Sequence, residues 1–118
     1  MKPKISIILN CYNGAKYLVE CLESIKKQKF KDFELIFWDN CSNDNSKEIF
    51  KKYKDKRFKY FKSKKNTVLS KARNLASKKA AGDWLAFIDC DDVWYPNKLS
   101  EFKNFYHLKN KGVLFSDY

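Results

Sequence analysis

The stretch Trp84-Leu85-Ala86-Phe87-Ile88-Asp89-Cys90-Asp91-Asp92 decides how the rest of this 118-residue chain reads. Five apolar residues, entered through Gly82-Asp83, run straight into three carboxylates crowded into four positions. A continuous apolar run of that length behind a turn pair has the pattern of a buried strand. Ending it in clustered carboxylates puts like charges side by side at the edge of a core, which is costly unless a cation sits there. Oxygen donors of this kind suit a hard divalent ion, Mg²⁺ or Mn²⁺, and such ions commonly hold the phosphates of a substrate as well. The competing reading is a polar turn, in which Asp91 or Asp92 caps a helix opened by Pro96.

On either side of this stretch the pattern alternates. Ile5–Leu9 is a β-branched run, and Tyr17–Gln28 carries Leu18, Cys21, Leu22 and Ile25 at helical spacing. Glu34–Trp38 is apolar again, Ser46–Tyr53 reads as a short helix with Ile49, Phe50 and Tyr53 on one side, and Phe58–Phe61 is a weaker strand. Leu69–Ala80 places Leu69, Ala72, Leu75, Ala76 and Ala80 on one helical stripe that Gly82 stops. Beyond the acids, Asn97–Asn110 reads as a helix with Leu99, Phe102, Phe105 and Tyr106 inward, and Val113–Phe115 as a last short strand. A β-α-β-α-β-α-β-α-β order with short connections and continuous apolar strands calls for a mainly parallel sheet with helices on both faces. The expected fold is therefore a Rossmann-like three-layer α/β/α sandwich, a single domain over residues 1–118.

Composition removes several alternatives. Hydrophobic residues make up 44% of the chain and aromatics 17%, enough for a packed core. No apolar run approaches the ~20 residues of a membrane span, and the Met1-Lys2-Pro3-Lys4 start followed by Ile5–Leu9 has no signal-peptide cleavage pattern. Cys11, Cys21, Cys41 and Cys90 form no C-x-x-C pair, and His107 is the only histidine, so a zinc site or disulfide framework is a poor reading and reduced cytosolic thiols a better one. Cys41 and Cys90 read as small neutral filler, with no histidine or cysteine close in sequence to activate them. The net charge is +11, and among 25 basic residues only Arg57 and Arg73 are arginine. That excess is read first as solvated helix faces. Attraction to an anionic membrane leaflet or a polyanionic substrate is the functional alternative. Nothing resembles a nucleic-acid module, and base readout leans on arginine more than this, so no nucleic-acid partner is expected.

Ligands of open α/β sheets bind beyond the carboxyl ends of the strands. Three strand ends are unusually polar: Asn10-Cys11-Tyr12-Asn13-Gly14, Asp39-Asn40-Cys41-Ser42-Asn43-Asp44, and Asp89-Cys90-Asp91-Asp92. Parallel topology brings all three to one rim. Neither G-x-G-x-x-G nor G-x-x-x-x-G-K-[ST] occurs, which removes the dinucleotide fingerprint and the P-loop. Together these segments, with Ser70-Lys71-Ala72-Arg73-Asn74, Ala81-Gly82-Asp83-Trp84 and the continuation Val93-Trp94-Tyr95-Pro96-Asn97-Lys98-Leu99, resemble the family 2 glycosyltransferases of GT-A fold over nearly the whole chain. Each piece is weak alone, and their order and spacing carry the resemblance.

The resemblance implies a nucleotide-diphosphate-sugar donor, a Mg²⁺ or Mn²⁺ cofactor, and a glycan or lipid-linked acceptor in surface polysaccharide synthesis. By family position Asp91 is the metal ligand, with Asp92 supporting the metal or the loop and Asp89 meeting ribose or sugar. Asn10, Tyr12 and Asn13 belong to the first binding loop. Asp39 and Asn40 face the base or ribose, and Arg73 meets the nucleotide or its phosphate, its alternative being a surface ion pair. Three positions depart from the family pattern: Asn40 for an aspartate, Asn10 for a proline, and Val68 for a glycine. The larger departure is at the end. Family members continue into an acceptor half that carries the general base, so the base is expected beyond Tyr118. The chain is then the donor-binding half of an inverting transferase, inactive alone, cytoplasmic and associated with the inner membrane face. Homo-oligomers through the uncovered surface near Val113–Phe115 are a further expectation. The alternatives are a nucleotide-sugar-binding module that transfers nothing and a basic α/β protein for membrane surfaces or nucleic acid.

Overall fold

The computed structural model describes residues 2–105 and 112–114 of the chain. Strand β1 (Ile5–Cys11) leads through helix α1 (Ala15–Lys26) to β2 (Phe33–Asp39), and α2 (Ser46–Lys51) leads to β3 (Phe58–Lys62). Helix α3 (Leu69–Ser77) returns the chain to β4 (Trp84–Asp89), and a 3₁₀ helix at Ser100–Phe105 precedes β5 (Gly112–Leu114). All strand pairs are parallel, in the order β3-β2-β1-β4-β5. This is the α/β/α sandwich the alternation predicts.

The two faces of the sheet account for the continuous apolar strands. Ile5, Ile7, Leu9 and Cys11 of β1 face α1 and α2, packing with Leu18, Leu22, Ile25 and Phe50. Phe37 lies against Phe50 there, ring centroids 4.4 Å apart and 26° from parallel. Such a pair adds about 0.5–1.5 kcal/mol beyond its buried area. Ile8, Ile36 and Trp38 project to the opposite face, where Ala72 and Ala76 let α3 approach closely. Among the described residues no helix is long and apolar enough to cross a membrane.

A buried polar network closes the other end of the sheet. Ser6 Oγ donates to Glu34 Oε2 at 2.5 Å, Ala81 N–H to the same oxygen at 2.6 Å, and Lys59 Nζ lies 2.7 Å from Oε1. Burial raises the Glu34 carboxyl, but the Ala81, Lys59 and Ser6 hydrogen bonds outweigh it and hold the group below its ordinary range. Gly82 N–H donates to Ser6 Oγ, and a Cβ on Gly82 would sit 2.7 Å from Ser6 N, so only glycine passes there.

The expected helix at Asn97–Asn110 is corrected. Residues 96–99 form turns, the 3₁₀ helix spans Ser100–Phe105, and residues 106–111, including Tyr106, lie outside the described residues. The reason is the C-terminal end of α1. Gln28 Nε2 donates to Tyr95 O, Lys29 N–H to Pro96 O, and Leu99 N–H to Gln28 Oε1, which spends these backbone groups on α1 instead of an i→i−4 ladder. Leu99 and Phe102, three residues apart, still reach the core, a spacing that a 3₁₀ turn satisfies. The last strand is found one residue earlier than expected, at Gly112–Leu114, and Phe115 lies outside the described residues. Because β1 feeds toward β2 and β4 toward β5, the chain direction divides between β1 and β4. That crevice is the switch point where such sheets bind ligands.

Candidate functional site

The acidic segment forms a tight turn at the carboxyl end of β4. Asp92 N–H donates to Asp89 O at 2.9 Å, and Asp89 N–H donates back to Asp92 Oδ2 at 3.1 Å. Trp94, buried in the core, anchors the far side of the turn. Carboxylate oxygens of Asp89, Asp91 and Asp92 lie within 4.8 Å of one another, with Asp91 exposed and the other two half-buried. A hard-oxygen trio at that spacing fits a divalent cation. Arg73 reaches in from α3, its guanidinium 3.3 Å from Asp89 Oδ1 and over the Phe87 ring. Both readings of Arg73 thus meet in one place: it makes an ion pair, and the pair lies at the site.

The first two loops are laced together beside this turn. Asn13, at φ 51°, donates its N–H to Ser42 Oγ at 2.9 Å, and Asn13 Oδ1 accepts Asn43 N–H at 2.9 Å. Asp44 accepts Ala15 N–H at the start of α1, and Ser46 N–H and Oγ–H at the start of α2. Burial opposes ionisation of Asp44, and these donors overcome it, lowering its carboxyl below the ordinary range. Tyr12 is half-exposed at the rim, while Asn10 pairs in register with Asp89 and has a buried Oδ1 that accepts no hydrogen bond from a described residue.

Asp39 and Asn40 stand at the rim and hold its loops in place. Asp39 is buried, accepting Ser42 N–H at 2.8 Å and Tyr60 Oη–H at 2.5 Å. Burial, reinforced by that bond, pushes the Tyr60 hydroxyl upward. Asn40 is 3% exposed and spends its amide on one residue. Nδ2 donates to Thr67 O at 2.7 Å, and Oδ1 accepts Thr67 N–H and Oγ1–H, each at 3.1 Å. The segment before α3 is thereby fixed, and Val68 stands in extended backbone at φ −62°, so no glycine is needed there. Cys41 has the φ of 67° that glycine favours. Ser42 and Asp44 lie in the polar second loop that the sequence shows, with no role given to either there, and Asp44 two residues ahead of a helical stripe carries the signal of an Asx turn. Thr67 and Tyr60 are rim residues that the sequence reading did not single out.

Cys90 has no cysteine close to it in sequence, and the fold brings Cys11 near it. Asn10 pairs with Asp89 across β1 and β4, Cys11 ends β1, Cys90 is the first residue beyond β4, and Gly14 packs against both sulfurs. Cys11 Sγ donates weakly to Ser46 Oγ at 3.8 Å. Interaction with the neighbouring Cys90 sulfur, and then burial, pushes the Cys11 thiol up, and interaction with Cys11 pushes the Cys90 thiol down.

A parallel sheet with an acidic turn and three polar loops at its switch point defines an α/β domain of the GT-A glycosyltransferase type. The glycosyl transferase family 2 model matches residues 6–116, and the chain belongs to that family. It is 38% identical, over 98% of its length and 41% of the relative's, to an uncharacterized glycosyltransferase of Methanocaldococcus jannaschii. It is 31% identical, over 99% of its length and 47% of the relative's, to TuaG of Bacillus subtilis, designated a candidate teichuronic acid biosynthesis glycosyltransferase. The crystal structure of S. aureus TarS 1-349 in complex with UDP-GlcNAc superposes with a TM-score of 0.84 at 34% identity, covering 91% of this chain and 32% of that one. A mannosyltransferase from Pyrobaculum calidifontis, at 20% identity and a TM-score of 0.82, shares the fold. The chain spans less than half the length of these proteins.

Proposed function

We propose that this chain is the donor-binding part of an inverting, metal-dependent glycosyltransferase. It takes a sugar from a nucleotide-diphosphate donor for transfer to a glycan or lipid-linked acceptor in surface polysaccharide synthesis, at the inner face of the membrane. The observation that carries the reading is the Asp89–Asp91–Asp92 trio on the switch-point rim. UDP-GlcNAc on S. aureus TarS, the 34% identical neighbour, supports the donor class.

Asp91, exposed and with no side-chain hydrogen bond or ion pair among the described residues, would be the principal ligand for Mg²⁺ or Mn²⁺, with Asp92 beside it. Such an ion supplies Lewis-acid stabilisation of the leaving diphosphate. The chain's own residues do the positioning. Arg73 neutralises Asp89 and offers its remaining N–H groups to phosphate or ribose oxygens. Asn10 Oδ1 presents an acceptor to a ribose or base donor, and Tyr12 and Asn13 border the base. Asp39 and Asn40 set the floor by holding Ser42 and Thr67. The general base and acceptor site belong to the part of the family's length this chain does not span.

Titration calorimetry of UDP, GDP and dTDP with Mg²⁺, with Mn²⁺ and with EDTA tests the reading. Binding is expected only with metal, and Asp91→Asn should abolish it while leaving the melting temperature within a few degrees of wild type. Equal affinity in EDTA would sink the metal role, and a large drop in melting temperature would make Asp91 a structural residue. A second reading is a module that binds the nucleotide sugar without transferring it, since the chain covers 41% of its Methanocaldococcus jannaschii relative and 32% of the TarS chain. Transfer assays on this chain and on a longer relative separate the two.

A further inference from the structure

We propose that Cys11 and Cys90 form a reversible disulfide at the mouth of the β1–β4 crevice, a modification site built into the candidate donor rim. Register brings them close. Asn10 and Asp89 are the last paired residues of the two strands, Cys11 ends β1, and Cys90 opens the turn that follows β4. At that last pair the strands lie about 4.8 Å apart, a spacing inside the Cα separation of about 4.4–6.8 Å that disulfides bridge. Both side chains join the same side of the sheet, Cys11 within the α1-facing core and Cys90 packed against it. Gly14 supplies the room. A Cβ there would collide with Cys90 Sγ and come within 3.0 Å of Cys11 Sγ, so the two sulfurs share the space that a larger residue would fill.

In the reduced pair Cys11 donates weakly to Ser46 Oγ at 3.8 Å, a contact the disulfide would give up. The other two cysteines have their sulfurs on backbone carbonyls. Cys21 is fully buried on α1 with its Sγ toward Asp89 O, and Cys41 lies on the β2 loop with its Sγ toward Lys64 O. Cys90 is half-buried and so is the member of the pair that a small oxidant reaches from solvent, while Cys11 waits behind it.

Hydrogen peroxide is the simplest oxidant class. Its O–O bond breaks as an S–O bond forms on Cys90, giving a sulfenic acid and one water. The Cys11 sulfur then displaces hydroxide from that sulfur. An S–S bond forms, and the Cys11 proton and the leaving hydroxide make a second water. Two electrons pass from the two thiols to one peroxide, and a dithiol reductant reverses the change. In a reducing compartment the bond is transient. While present, it ties the first binding loop to the acidic turn through Cys90, which stands between Asp89 and Asp91.

The test needs no ligand and so stands apart from the donor reading. The reduced chain is treated with dilute peroxide, and intact mass and non-reducing peptide maps are recorded before and after dithiothreitol. The expected result is loss of two hydrogens per chain, a cross-link joining the Cys11 and Cys90 peptides, and full reversal. Cys90→Ser should prevent the loss and Cys41→Ser should leave it unchanged. Circular dichroism of Cys90→Ser establishes that it folds, and cross-linking attempted in urea shows whether the fold selects the pair. A cross-link through Cys21 or Cys41, a linked dimer, or conversion of Cys90 to sulfinic acid with Cys11 still free would overturn the proposal.

Discussion

Asn40→Asp exchanges two side chains of the same shape and puts a carboxylate where this chain has an amide. The two hydrogen bonds accepted from Thr67, each 3.1 Å long, survive the change. The third does not. Nδ2, which donates to Thr67 O at 2.7 Å, becomes an oxygen facing a carbonyl oxygen. At 3% exposure water gives little relief. Losing a bond worth about 1 kcal/mol and leaving a buried acceptor opposite a charge costs about 2–3 kcal/mol in all. For a domain of this size that lowers the melting temperature by about 10 °C. The pH dependence has a definite sign. Burial and the facing carbonyl raise the introduced carboxyl above its unfolded pKa of about 3.9. The deficit against wild type is then complete at neutral pH and shrinks as pH falls through the raised folded value, where the neutral acid donates its proton to Thr67 O. Urea denaturation followed by tryptophan fluorescence, run on both proteins at pH 7.5 and pH 5, measures this. Equal stability at pH 7.5, or a deficit of unchanged size at pH 5, would refute the placement of the amide against Thr67.

Two further changes act on the fold. Cys41→Gly removes a side chain from a φ of 67° and should stabilise the chain by about 0.5–1 kcal/mol, the relief of left-handed strain less glycine's greater unfolded entropy. A fall in urea midpoint would show that the weak contact of its sulfur with Lys64 matters more. Glu34→Gln should cost about 1.5–3 kcal/mol at neutral pH, because charge-assisted bonds from Ser6, Ala81 and Lys59 weaken together. Since the Glu34 carboxyl is held below its unfolded value, the wild-type advantage is present above the unfolded pKa and lost as pH falls through the folded one. A gap between the two proteins that stays constant into acid would contradict this.

Much of the architecture was legible because its signals are local. Continuous apolar runs mark strands covered on both faces, and each of the first four strands was found within two residues of its expected ends. The Asp89–Asp92 turn was legible for the same reason, since charge crowded against a core is visible without knowing what lies opposite. The segment after Pro96 was not, because Gln28, nearly seventy positions away, competes for its backbone. The hydrogen bonds of Asp39 and Asn40 were hidden similarly: no spacing along the chain shows that Tyr60 meets Asp39 or that Thr67 meets Asn40. Cys11 and Cys90 meet only through strand register, which no spacing along the chain encodes.

The lacing of the first two loops bears on how this rim could change over time or by design. Asn13 takes its shape from Ser42 and Asn43, and the start of α1 is held by Asp44 from the neighbouring loop. Neither loop carries the full instructions for its own conformation. A graft of one loop from a relative would arrive with half of its fastenings and loosen the half left behind, so residues 10–15 and 39–46 behave as one cassette. Variants that alter either should survive mainly as matched pairs, and a length change in one loop will be felt as a change of shape in the other.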